Sequence, residues 1–215
     1  LDIELSPDFE RDRLVYLTYA CGTAEENNTC LGRGEFRDDR LQEFNRIFQG
    51  RPLKATGVQF GSRILFLPDG TMLVSVGDGF DLREDAQGLV RDDETGRIYE
   101  TEHGPYGGDE VNRIEAGVNY GWPLATEGVN YPGSSISPHD ELDSVRGPLK
   151  HWTPSIAPSG MTLYRGDAFP ELDGDLLVSG LAGKGLFHLS LEDGEIVADR
   201  RLFHDLDKRI RDVMV

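Results

Sequence analysis

No stretch of this sequence approaches the roughly 18 consecutive apolar residues that a membrane-spanning helix requires. Its first residues, Leu1-Asp2-Ile3-Glu4, lack the basic-then-apolar order of a secretion signal. Insertion of a helix into a membrane is therefore not expected, and any targeting peptide lies outside this sequence. Basic residues are also scarce: 22 Lys and Arg stand against 39 Asp and Glu, a formal charge of −17. Such a surface repels phosphate backbones and anionic headgroups, which excludes nucleic acid as an expected partner. Cysteine is limited to Cys21 and Cys30, with no second Cys or His pair at zinc spacing. No Gly-x-Gly-x-x-Gly run joins a strand to a helix, so a nicotinamide site of that kind is absent. Helical periodicity is weak as well; its best candidate, 41–48, reads equally as an outer strand.

What the sequence does have is turns and short apolar runs. With 215 residues, 38% hydrophobic content, 26 Gly and 11 Pro, it describes one folded, turn-rich domain over 1–215. Acidic turns precede strand-like runs four times: Asp12-Arg13 before 14–19, Asp69-Gly70 before 71–76, Glu94-Thr95-Gly96 before 97–102, and Asp173-Gly174 before 175–180. This grammar predicts an all-β fold of radially repeated antiparallel sheets, a β-propeller, with a sandwich as the alternative. The cysteines flank a polar tip, 22–29, between strands expected at 14–20 and 31–36. They could form a disulfide, which would suit an oxidising compartment, or stand as unlinked thiols.

The repeat is uneven. Leu14 to Met72 is 58 residues, Met72 to Ile98 only 26, and Ile98 to Leu176 is 78. A four-stranded blade takes about 40 to 50 residues. Twenty-six is too few, which points to a missing segment near 87–88.

The most distinctive stretch runs Thr101-Glu102-His103-Gly104-Pro105-Tyr106-Gly107-Gly108-Asp109-Glu110-Val111-Asn112-Arg113-Ile114, followed by Gly117-Val118-Asn119-Tyr120-Gly121-Trp122-Pro123. A Gly-rich loop here exposes backbone carbonyls beside two carboxylates, hard oxygen donors of the kind calcium prefers. The stretch resembles the signature of soluble aldose and glucose/sorbosone dehydrogenases that use pyrroloquinoline quinone (PQQ). Further matches follow in the same order: Phe60-Gly61-Ser62-Arg63-Ile64 with Leu67-Pro68-Asp69-Gly70, then 152–161, then Arg209-Ile210-Arg211-Asp212-Val213.

The resemblance implies a six-bladed propeller, incomplete here at both ends, that oxidises aldose sugars to lactones with PQQ and calcium. It implies that the carbonyls of Gly104 and Pro105 face the cofactor's calcium, and that Glu110 and Tyr120 belong to a further, structural calcium site. His103 stands beside the cofactor loop, Ser155 against the cofactor, and Tyr131 at the pocket's border. Arg209 and Arg211 match a cationic pair for the cofactor's carboxylates, expected to project from one face of a strand at i and i+2. Arg63 falls in the catalytic segment. A periplasmic or extracellular setting is expected.

Departures from the pattern accompany these matches. The family's base is a His at the position of Gln59, and Gln can orient a hydroxyl but cannot accept its proton near neutral pH. At Gln87-Gly88-Leu89 only the end of a longer family segment remains, without the Arg and Asn expected to polarise the quinone. Ala182 stands where a basic residue is common. A non-catalytic propeller that keeps the scaffold and presents a binding surface is therefore the second expectation.

Overall fold

The computed structural model describes every residue except 59, 78–84 and 132, and at 85–87 the main chain alone. The chain divides into two compact units, Leu1–Ala86 and Gln87–Val215.

In the first unit, β1 (Ile3–Leu5), β2 (Leu14–Gly22), β3 (Asn27–Arg37) and β4 (Arg40–Gln49) form a four-stranded antiparallel sheet in sequence order. A single helical turn, α1 (Phe9–Asp12), links β1 to β2. Beside the sheet, β5 (Ile64–Phe66) pairs with β6 (Met72–Val74). Tyr16, Leu31 and Ile64 are buried where the two sheets meet, and the Tyr16 and Phe66 rings pack edge to face at 5.1 Å. The 41–48 segment resolves as strand. Phe44 lies over Gly32, where an added Cβ would meet the ring at 2.1 Å, so the glycine admits the aromatic.

The β2–β3 hairpin is longer than the sequence suggests, because both strands continue past the cysteines to a tip of four residues, 23–26. Thr23 Oγ1 accepts the Glu26 amide at 3.0 Å, and Gly22 sits at φ 108, a conformation that favours glycine. Cys21 and Cys30 are joined by a disulfide with Cα atoms 5.9 Å apart.

The second sheet is β7 (Asp85–Arg91), β8 (Ile98–His103), β9 (Asp109–Ile114) and β10 (Lys150–Trp152). The third is β11 (Pro158–Leu163), β12 (Leu176–Gly180), β13 (Gly185–Glu192) and β14 (Glu195–Leu202). Their facing sides share the main core of the second unit, formed by Tyr99, Val111, Trp152, Ile156, Met161, Leu176, Val178, Phe187 and Leu189. Because strand side chains alternate, the residues of β8 and β9 that do not face this core point to the opposite side. That alternation positions the site.

Candidate cofactor and metal site

β9 opens on Asp109-Glu110, and the two carboxylates leave the strand on opposite faces. On the core-facing side, Asp109 is fully buried yet completely engaged. Its Oδ1 accepts the Gly104 amide at 3.0 Å; its Oδ2 accepts the Ser155 hydroxyl at 2.6 Å and the Ala157 amide at 2.7 Å. His103 Nε2 donates to the Pro158 carbonyl at 2.7 Å, so the neutral ring carries its lone pair on Nδ1. The loop between β8 and β9 is tight: a Cβ on Gly104 would lie 2.2 Å from the Gly107 carbonyl oxygen. The Gly108 amide is shared between the Trp152 carbonyl at 2.9 Å and Thr153 Oγ1 at 3.1 Å. Tyr106, at the exposed tip, meets the Tyr131 ring edge to face at 5.2 Å.

The opposite face gathers Glu100, Glu102, Glu110 and Asn112, paired Glu100↔Asn112 and Glu102↔Glu110 across the strands. Glu110 Oε1, Glu100 Oε1 and Asn112 Oδ1 are buried without a hydrogen-bond partner among the described residues. Burial, followed by repulsion from Glu102, pushes the Glu110 carboxyl up to about 8, and the same causes raise Glu100 well above the usual carboxylate range. Such a face requires protons or a cation. The donors are of the oxygen type that calcium takes, but among the described residues no three acidic, His or Cys side chains are gathered closely enough to hold a metal ion. On the carbonyl side, His139 Nε2 donates to the Tyr120 carbonyl at 2.8 Å and lies 3.9 Å from Glu110 Oε1, while Nδ1 lies 3.1 Å from Glu127. A cation using both Glu110 and the Tyr120 carbonyl would therefore displace that histidine contact.

The sequence-expected residues thus fall into distinct groups. Gly104 and Ser155 both donate to Asp109, Pro105 follows Gly104 in the same loop, and His103 donates to Pro158 at the start of β11. Arg209 and Arg211 are exposed on a segment that is not a strand, which corrects the expected strand geometry. That segment is held irregularly instead, by the Ile210 amide to Gly180 and by Ser159 Oγ to the Ile210 carbonyl at 2.9 Å, with Ile210 and Val213 packed near Tyr164, Leu177 and Leu186. Ser155 spends its hydroxyl on Asp109. Arg63, in the first unit, pairs with Asp2, whose carboxylate also accepts the Ile64 amide. Gln59 lies outside the described residues. Sequence reasoning missed Asp109, Glu100, Glu102 and His139. Glu100 and Glu102 were legible from period-two alternation on the face of Glu110, and Asp109 as the carboxylate next to it in the motif; His139 comes from an irregular segment with no such signal.

The repeated four-stranded antiparallel sheets define a protein of the β-propeller class. The sequence pattern of the Glucose / Sorbosone dehydrogenase family matches residues 1–89 and 82–215, and the chain belongs to that family of oxidoreductases. An uncharacterized protein of Synechocystis is 34% identical over 266 aligned residues, and the aldose sugar dehydrogenase YliI of Escherichia coli 32% over 261. Both alignments cover 99% of this chain, which spans 64% of the first relative and 70% of the second. A crystal structure of a glucose dehydrogenase superposes with a TM-score of 0.92 at 32% identity, covering 99% of this chain and 75% of that one. The PQQ-bound aldose sugar dehydrogenase of Streptomyces coelicolor, 23% identical, shares the fold with a TM-score of 0.76 over 98% of this chain and 69% of that one.

Proposed function

We propose that this chain binds PQQ and calcium at the loop between β8 and β9, and that its site is built for oxidation of an aldose at the anomeric hydroxyl, giving a lactone. The observation that carries this reading is the Gly104–Gly108 turn, folded on itself and tied through Asp109 to the Ser155–Ala157 turn. The carbonyls of Gly104 and Pro105 would hold the cofactor's calcium, and Arg209 and Arg211, exposed on one segment, would meet the cofactor's carboxylates. When bound, the quinone accepts the hydride and calcium acts on it as a Lewis acid. The chain's residues hold and orient: Ser155 and His103 fix the turn, and Tyr131 borders the pocket. Gln59 could orient the sugar hydroxyl but not take its proton. Glu110, with Glu102 and Asn112, would take a second, structural calcium.

Two further parts of the reading concern the whole protein. A segment of about one blade is absent near 87–88; the two-part family match, and alignments of 266 and 261 residues for a chain of 215, support this. The setting is periplasmic or extracellular, for which the Cys21–Cys30 disulfide speaks. The second reading, a calcium-holding scaffold without turnover, is favoured by Gln59, whose side chain cannot take the sugar's proton.

The deciding experiment is titration of the purified chain with PQQ, with and without calcium, followed by absorbance and by displacement on adding chelator. Saturable, calcium-dependent binding weakened by Arg209→Ala and Arg211→Ala is expected. No binding, or binding indifferent to calcium and both arginines, would overturn the cofactor site and leave the scaffold reading.

A further inference from the structure

We propose that Asp109 is the positioning residue of the cofactor loop, the group that fixes where the Gly104 and Pro105 carbonyls stand; this rests on the reading that these carbonyls face the cofactor's calcium. In this arrangement Asp109 would act through the backbone it holds, since both its oxygens are already taken by Gly104, Ser155 and Ala157. One oxygen takes the loop side, the Gly104 amide, and the other takes the Ser155–Ala157 side through one amide and one hydroxyl. The carboxylate is therefore a two-headed acceptor between its own loop, 5 residues back at Gly104, and a turn 46 to 48 residues further along the sequence. Around it stand further ties that cannot do the same job. Gly108 is bonded at the far end of the loop, and His103 to Pro158 precedes it. Among the described residues, Asp109 alone accepts the amide of Gly104, the residue whose carbonyl is at issue. Ala157 has a positive φ of 50, an uncommon state for a residue with a Cβ, and the Asp109 bond to its amide helps to hold it there.

The chemistry of the acceptor makes the inference sharp. Asp109→Asn keeps size and shape but turns one acceptor oxygen into a donor. If the amide nitrogen faces Gly104, two donors oppose each other and the loop is released; if it faces Ala157, the other turn is released. Neither orientation retains both ties. A buried donor left against a donor is more disruptive than a lost contact at the surface. Groups that orient metal-holding atoms from behind typically affect affinity by about ten- to a hundredfold.

The test combines two readouts on the full chain. In the cofactor-free protein, Asp109→Asn should raise amide hydrogen exchange in the 104–108 or the 155–157 segment, leaving the β12–β13 core protected. In the presence of calcium, its PQQ affinity should fall about ten- to a hundredfold. If the wild type binds PQQ and the variant binds equally well, the positioning role is overturned while the proposed function stands. An affinity loss with exchange raised evenly across the second unit overturns it too, since the effect is then general destabilisation. Failure of the wild type to bind PQQ overturns the proposed function and the positioning role together. Should Asp109→Asn not fold, Ser155→Ala removes one of the three donors and should raise exchange at 104–108 and 155–157 in smaller measure before any cofactor is added. Unchanged exchange there overturns the role, because a serine acting only by direct cofactor contact would not loosen the empty loop.

Discussion

At the scale of single residues, the Asp109-Glu110 pair shows how one dipeptide serves two environments. The strand's period of two sends Asp109 to a face where three donors await it and Glu110 to one where other carboxylates crowd it. The second environment has a measurable consequence. In the unfolded chain Glu110 titrates near 4.5; in the fold burial and Glu102 raise it to about 8. Between those values the native state holds a proton that the unfolded state has released. Glu110 therefore supports the fold below about 4.5, and that support is lost as pH rises toward 8, by an amount on the order of a few kcal/mol. Glu100 shifts in the same direction and adds to the slope. Calcium bound between the carboxylates, as proposed, would replace the proton and stabilise the native state by mass action. In chelator, the melting temperature should fall from pH 5 to pH 8, and calcium should restore it most at pH 8. Glu110→Gln should flatten the chelated profile and remove most of the response to calcium. A variant with the same pH slope and the same calcium response as the wild type would refute the carboxylate account.

At the scale of elements, the hairpin of β2 and β3 gives the most direct test. Its disulfide closes a short loop, and constraint of the unfolded chain by a loop of this length is worth about 2 to 3 kcal/mol. Replacing both cysteines by alanine should lower the melting temperature by roughly 4 to 10 °C, without changing the affinity for PQQ. A shift below a degree would mean that the long cross-strand ladder alone fixes the hairpin. The strands themselves were largely legible, since acidic turns preceded β2, β6, β8 and β12 and alternation marked their faces. The length of the hairpin was not, because polar Asn27, Asn28 and Thr29 read as a tip. In the fold they are buried: Asn28 bonds the Pro52 carbonyl, and Asn27 pairs with Lys54 through the main chain. The 209–211 segment misled in the opposite direction, because Arg209-Ile210-Arg211 alternates as in a strand, yet Ile210 and Val213 pack beside β12 and β13 without a ladder. In the site, the residues carried by the Gly-rich motif were legible. His139 was not, because its place depends on the irregular chain between β9 and β10, which no periodicity encodes.

At the scale of the whole molecule, holding a cofactor and using it separate into different requirements. The second unit supplies the Gly104–Pro105 loop with its Asp109 anchor and, from the irregular segment packed beside β12 and β13, the exposed arginines, so the proposed cofactor affinity can persist there. Turnover needs more. General-base assistance contributes about 10² to 10⁴ in rate, and Gln59 has no lone pair basic enough to provide it. His103 Nε2 donates to the Pro158 carbonyl, which ties that ring to the start of β11. The Arg and Asn expected before Gln87 would stabilise charge developing on the quinone, and their absence weakens that further. The chain given PQQ and calcium should therefore bind both, yet reduce a dye with glucose or other aldoses about 10² to 10⁴ times more slowly than the E. coli relative assayed alongside it. Gln59→His alone should recover only a small part of the rate, whereas the same substitution together with the blade-length segment of that relative, inserted at 87–88, should recover most of it. Brisk turnover by the unmodified chain would show that the base lies elsewhere than position 59; full recovery by Gln59→His alone would show that the absent segment takes no part in the chemistry.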